Sequence, residues 1–235
     1  KIITNNNSMI VNLVLMDNPY DYKALSSGPT FSHQYSQSAK SILLREKLFS
    51  SIDNKIKKII ELESNESLHY NDELIHDYIV GGPYTAKANF VNYAKKQYDY
   101  VWEIDKVYYN MDINIVLKDF VSYCNDKILS NNQKGTHAII ANGEIPIKLP
   151  KSHGNGGRNQ HFAALVLKEA LNLGWENFVF ASFATDGQDF KKNIHGAIIS
   201  DESLKIVNEN NLTIEEYIKV FDTFNLHTKL DSLLR

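Results

Sequence analysis

Apolar positions along the chain change their spacing several times. "MIVNLVLMD" (Met9–Asp17) is a continuous apolar run dense in β-branched residues, and such a run predicts a strand buried on both faces. "NPYDYKALSSGPT" follows, a loop by its Asn-Pro and Gly-Pro pairs. From Ser38 to Ser64 apolar residues recur at three- and four-residue steps, with lysines between them, which predicts helix. "SNESLHYND" (Ser64–Asp72) is polar and reads as a surface connection. "DYIVGG" and "DYVWEI" then predict strands, and "YTAKANFVNYAKKQ" and "DINIVLKDFVSYCNDKIL" predict helices. "GTHAIIANGE" and "IPIKLP" read as two strands with a hairpin turn at Asn142-Gly143. A glycine-rich loop, a helix, the strand "NFVFASFA", the loop "TDGQDFKKN", the strand "HGAIIS" and further helical segments complete the chain. Strands alternating with helices predict an α/β protein with a mostly parallel or mixed sheet, and a boundary falls near residue 76.

Bulk composition changes this picture little. The 235 residues suffice for one large domain or two modest ones, and 43% hydrophobic with 23% charged residues is ordinary for a soluble globular chain. A formal net charge of -3 gives no broad attraction to nucleic acid or an anionic membrane. The single cysteine, Cys124, excludes an intrachain disulfide and a cysteine metal cluster. It also favours a cytoplasmic setting, and its helical surroundings read as a buried apolar position. No apolar run reaches the roughly 18 residues that span a bilayer. The eight histidines show no zinc-ligand spacing.

The candidate chemistry sits in loops that follow strands. In "SHGNGGRNQHFAALVL", Gly154, Gly156 and Gly157 precede Arg158 at the start of a helix. Free N–H groups at a helix start, together with a planar guanidinium, make an anion site. The spacing is neither that of a P-loop nor that of a dinucleotide fingerprint, and a flexible turn with a solvated arginine has the same pattern. His153 and His161 flank this loop as secondary ligand candidates. In "ATDGQDF", Asp186 and Asp189 offer oxygen ligands for Mg²⁺, or Asp186-Gly187 makes an Asx-type turn. Asp17 at a strand end, the loop Ser27-Gly28-Pro29-Thr30, and Asn142-Gly143-Glu144 add two more polar loops.

In this order, "SSGPT", "NGE", "GNGGRNQHFAALVL" and "ATDGQDFKKNIHGAIISDESL" resemble the glycerate 2-kinase family, whose C-terminal part is the MOFRL domain. The resemblance implies a Rossmann-like remnant of a first domain over residues 1–76. It also implies a C-terminal α/β domain with a mixed sheet over 77–235, which includes a MOFRL-like region at 136–235. The implied activity is ATP- and Mg²⁺-dependent phosphorylation of D-glycerate at its 2-hydroxyl. Arg158 would be the catalytic or phosphate-clamping arginine, shaped by Gly156, Gly157, Asn159 and Gln160. Asp186 would act in catalysis and, with Asp189, hold Mg²⁺. Ser27, Gly28, Thr30 and Glu144 would bind substrate or phosphate. The implied partners are glycerate and a nucleotide, with neither nucleic acid nor membrane.

The chain departs from the family pattern at several points. Gly81-Gly82-Pro83 replaces Gly-Ser-Asn, Glu144-Ile145-Pro146 replaces Glu-Thr-Thr, and Ala184 and Phe190 replace glycines. Lys1 is not a natural start, and the family's N-terminal half has no counterpart here. The chain is therefore expected to be a piece of a longer protein, or a divergent member. A non-catalytic anion-binding or regulatory paralogue and a kinase for another small hydroxy acid remain alternatives.

Overall fold

The chain divides between Ala86 and Lys87 into two units. The computed structural model describes residues 9–16, 38–63, 74–128 and 134–235. In the first unit, strand β1 (Ile10–Leu15) is followed by helix α1 (Ala39–Arg45), a short 3-10 turn at Phe49–Ser51, helix α2 (Asn54–Glu63) and strand β2 (Ile75–Gly81). Ser38 starts α1 because its hydroxyl accepts the Ser41 N–H at 3.2 Å, satisfying one of the donors a helix start leaves open. β1 and β2 pair in parallel, with Ile10 opposite Ile75 and Leu13 opposite Tyr78. Burial on both faces, as the apolar run predicts for β1, is not what the strand shows. Val11, Leu13 and Leu15 are 51%, 70% and 80% exposed. β1 has one partner strand among the described residues, so only alternate side chains are covered.

Helix α3 (Pro83–Ala94) crosses the division and leads into the second unit. Proline suits its first position, where the missing N–H costs nothing. Strand β3 (Tyr100–Glu103), the two-residue β4 (Tyr108–Tyr109), helix α4 (Ile113–Ile128), strand β5 (His137–Ile140) and the two-residue β6 (Gly143–Glu144) come next. β3 pairs in parallel with β5, and β4 in parallel with β6. The hairpin expected at Asn142-Gly143 therefore does not form. The chain runs on instead, and residues 145–150 are irregular. The Tyr108 N–H donates to the Asn142 carbonyl at 3.0 Å, and this pairing between strands distant in sequence takes the place of a local turn.

Helix α5 (Arg158–Leu173) is the axis of the second unit. It is followed by β7 (Val179–Phe183), the hairpin of β8 (Gln188–Asp189) and β9 (Lys191–Lys192), and β10 (Gly196–Ser200). Helices α6 (Asp201–Glu209), α7 (Ile214–Lys219) and α8 (Thr223–Lys229) and strand β11 (Leu233–Leu234) close the chain. β7, β10 and β11 form an antiparallel sheet with β10 in the centre. The unit thus combines parallel and antiparallel pairing, as an α/β fold with a mixed sheet. α5 packs against α4, α6, α7, α8, β7 and β10. Its Phe162, Ala164, Val166 and Leu167 meet Val116, Phe120 and Cys124 of α4 and Ile199 of β10 in one apolar cluster. The Phe120 ring lies edge-on to Phe162 and Phe180, at 6.0 and 5.3 Å between centroids. Burying each such side chain contributes about 1.5–3 kcal/mol, so the start of α5 is fixed by a rigid body beneath it.

Candidate functional site

A helix start leaves N–H groups without partners, and Gly157, the residue that precedes α5, has no side chain to cap them. Asp189, arriving from β8, does so instead. Its Oδ1 accepts the Asn159 N–H at 3.1 Å, and its Oδ2 accepts the Gln160 N–H at 3.0 Å. The side chains of the same two residues add to this. Asn159 Nδ2 donates to Oδ1 at 3.3 Å, and Gln160 Nε2 donates to Oδ2 at 3.0 Å and to the Asp189 carbonyl at 2.8 Å. Asp189 is only 4% exposed. The carboxylate lies so close under Gly157 that any Cβ there would overlap it. The glycine is required by this approach.

The polar network continues inward. Asn159 Oδ1 accepts the Ser182 hydroxyl at 2.8 Å. The Gln160 carbonyl lies 2.8 Å from His227 Nε2. A carbonyl only accepts, so Nε2 carries the proton, and Nδ1 accepts the Ser232 hydroxyl at 2.7 Å. Burial lowers His227 to about 4, against a smaller upward pull from the Gln160 bond and the Asp189 charge. Burial likewise lowers His161 to about 4, and its ring is stacked on Phe221 at 4.7 Å. Both imidazoles are therefore neutral at pH 7 and offer no positive charge to a ligand. Sequence reasoning missed Ser182 and His227. Ser182 was findable as the one hydroxyl in "NFVFASFA"; nothing local marks His227.

The glycine loop is pinned by the turn between α7 and α8. The Gly154 N–H donates to the Val220 carbonyl at 2.7 Å, the Asn155 N–H to Asp222 Oδ1 at 2.9 Å, and the Phe224 N–H to the Asn155 carbonyl at 2.8 Å. Gly156 faces Thr223, whose hydroxyl a Cβ would overlap. Gly156 and Gly157, expected in a phosphate clamp with Asn159 and Gln160, lie against this chain's own Thr223 and Asp189, while Asn159 and Gln160 bond to Asp189 and Ser182, and Gln160 is fully buried. Asp189, expected to hold Mg²⁺ with Asp186, has N–H donors at both its oxygens. The anion at the start of α5 is the protein's own.

Arg158 behaves differently. Its Nη1 lies 2.7 Å from Glu144 Oε1, and the two side chains are 47% and 37% exposed. Glu144 stands in β6, four residues past the end of β5, at the carboxyl end of a parallel pair. Ligands collect at such ends. An ion pair this exposed is worth about 0–1 kcal/mol, so the guanidinium can exchange Glu144 for another anion at small cost. Asp186 is exposed, and its Oδ1 accepts the Gln188 N–H at 3.2 Å, an Asx-type turn. Among the described residues no group of three or more carboxylate, histidine or cysteine side chains gathers in a way that would hold a metal. A magnesium ion uses one or two carboxylates plus phosphate oxygens and water. Asp186 fits that pattern and Asp189 does not. Ser27, Gly28 and Thr30 lie outside the described residues, as does Asp17. One further cation went unnoticed: the nearly buried Lys87, whose Nζ donates to the Ile104 carbonyl at 3.0 Å beyond the end of β3 and lies 3.8 Å from Glu103.

No described helix is long and apolar enough to cross a membrane. Comparison with known proteins gives three findings. Residues 137–235 match the MOFRL family. An uncharacterized protein of Caenorhabditis elegans is 26% identical over 226 residues, which cover 86% of this chain and 46% of that protein. Among solved structures, a glycerate kinase from Thermotoga maritima superposes with a TM-score of 0.75 at 21% identity, covering 97% of this chain and 53% of that one. A protein from Pyrococcus horikoshii does so with a TM-score of 0.67 at 17% identity, covering 96% and 52%. The chain spans about half the length of the relatives it matches. The MOFRL match covers the part of the chain that holds the glycine loop, Asp186 and Asp189, and the fold is one shared with a solved glycerate kinase structure.

Proposed function

We propose that this chain supplies the anion-handling part of an ATP- and Mg²⁺-dependent kinase that phosphorylates D-glycerate at its 2-hydroxyl to give 2-phosphoglycerate. The observation that carries the reading is the Arg158–Glu144 pair. It is a half-exposed guanidinium on a rigid helix start, held 2.7 Å from a carboxylate it can give up. The fold shared with a glycerate kinase supports the same reading. Phosphoryl transfer depends mostly on positioning and on neutralising charge over the transferred group. Arg158 supplies a fixed positive fork for a phosphate or carboxylate oxygen. Glu144 holds that fork in place before the ligand arrives. Asp186 is the carboxylate that would hold Mg²⁺, which when bound screens the phosphate charges. Asp189, Asn159 and Gln160 keep the helix start in place and touch no ligand. The domain division proposed with this reading is a Rossmann-like first domain to residue 76 and a second domain from 77, with the MOFRL-like part at 136–235.

One observation favours a second reading. Asp189 fills the amide site at the α5 start, and the guanidinium is already paired, as suits a non-catalytic anion-binding paralogue. A coupled assay of the complete protein with D-glycerate, ATP and Mg²⁺ separates the two. The kinase reading expects ADP release with 2-phosphoglycerate as product. Release with another hydroxy acid alone shifts the substrate, and no release with any hydroxy acid supports the paralogue.

A further inference from the structure

Resting on the kinase reading for its catalytic meaning but not for its test, we propose that Asp189 is a positioning residue that closes the amide site of α5, so that a ligand anion is bound by the Arg158 guanidinium rather than by those amides. A helix start normally attracts a phosphate with its own N–H groups. Here the Asn159 and Gln160 amides are both taken, at 3.1 and 3.0 Å, by a carboxylate that is 4% exposed. Two side-chain donors lock the same carboxylate, which lies so close under Gly157 that a Cβ there would overlap it. An incoming phosphate therefore finds a negative charge already on the amides rather than free donors. The side chain of the first helical residue, Arg158, leaves this buried end and reaches 2.7 Å to Glu144 at the surface. Its Cα lies between Gly157, against which the carboxylate packs, and Asn159, whose amide the carboxylate accepts. The direction in which the guanidinium leaves the helix is thus set by that carboxylate. Loss of the cap frays the first turn and lets the arginine wander, and a displacement of about 1 Å is enough to weaken a bidentate contact severely.

Calorimetric titration of the complete protein with inorganic phosphate tests this, using the wild type, Arg158→Ala, Asp189→Asn and the double variant. Arg158→Ala is expected to weaken binding about tenfold or more, the loss of a charge-assisted hydrogen bond. Asp189→Asn is expected to weaken it about fivefold, with the double variant no weaker than Arg158→Ala, since Asp189 acts through the arginine. Gly157→Ala, which pushes the carboxylate aside without removing it, is expected to weaken phosphate binding in the same direction and stands in if Asp189→Asn does not fold. Equal or tighter binding by Asp189→Asn overturns the proposal, because the vacated amides would then be the ligand site. So does a double variant in which the two losses multiply, or phosphate binding that ignores Arg158. Absence of phosphate binding to the wild type also overturns it. Failure of phosphoryl transfer to glycerate sinks the kinase reading alone and leaves the phosphate series intact.

Discussion

Arg158 Nη1 and Glu144 Oε1 stand 2.7 Å apart, joining the start of α5 to the short strand β6 across fourteen residues of sequence. Both side chains are partly in water, so the pair is worth about 0–1 kcal/mol and competes only weakly with a ligand anion. Glu144→Gln keeps the size and removes the charge. The expected outcome is a change in KM for the anionic substrate of about fivefold or less, towards tighter binding. Steady-state kinetics on the complete protein measures it. A loss of turnover beyond tenfold would place Glu144 in the chemistry itself.

Gly157→Ala forces a methyl group into the Asp189 carboxylate. Overpacking of this kind costs about 1–3 kcal/mol, and the capping bonds to Asn159 and Gln160 are strained with it. Chemical denaturation is expected to show a lower midpoint for this variant. An unchanged midpoint would mean that the carboxylate moves aside freely.

Protonation of the buried imidazoles sets an acid limit. His161 and His227 are both lowered to about 4 in the folded state, mainly by burial, from an ordinary value of 6.5. The unfolded chain therefore takes up these protons first as pH falls. Their stabilising effect is complete above about pH 6.5 and is lost progressively down to about 4, at a slope of about 1.4 kcal/mol per pH unit for each group. Urea midpoints between pH 6.5 and 5, above most carboxylate titration, are expected to fall. His161→Phe, which keeps a ring against Phe221, is expected to flatten that slope. A midpoint independent of pH in this window would contradict the burial of both rings.

Asp186→Asn is expected to raise the Mg²⁺ concentration needed for half-maximal phosphoryl transfer by about tenfold, the loss typical of weakening one charged ligand. Asp189→Asn is expected to leave that concentration unchanged. Titrating Mg²⁺ into the coupled assay of both variants distinguishes them, and an unchanged requirement in Asp186→Asn would remove it from the metal site.

Local pattern made the second unit largely legible. The apolar spacing of "DINIVLKDFVSYCNDKIL" marks α4, and the glycine loop before Arg158 marks the start of α5. The pattern says least where a partner distant in sequence decides the outcome. Asn142-Gly143 has the composition of a hairpin, yet Tyr108 claims the Asn142 carbonyl from outside. Asp189 looks like a cation ligand beside Asp186, but thirty residues separate it from the Asn159 amide that it accepts. The metal and capping readings need the same residue type, so the cap is invisible in the sequence. Phe190, where the resemblance expects a glycine, has a left-handed backbone, at φ 73. Its ring sits 5.9 Å from Phe224, and Lys191 Nζ lies 4.0 Å from that second ring.

Turnover of Arg158→Ala in the complete protein, with D-glycerate, ATP and Mg²⁺, bears on the central claim most directly. A guanidinium that neutralises charge on the transferred group is worth roughly 100-fold or more in rate. A fall of that size, with folding intact, is the expected result. Near-normal turnover would contradict it and leave Arg158 as the surface partner of Glu144 and nothing more.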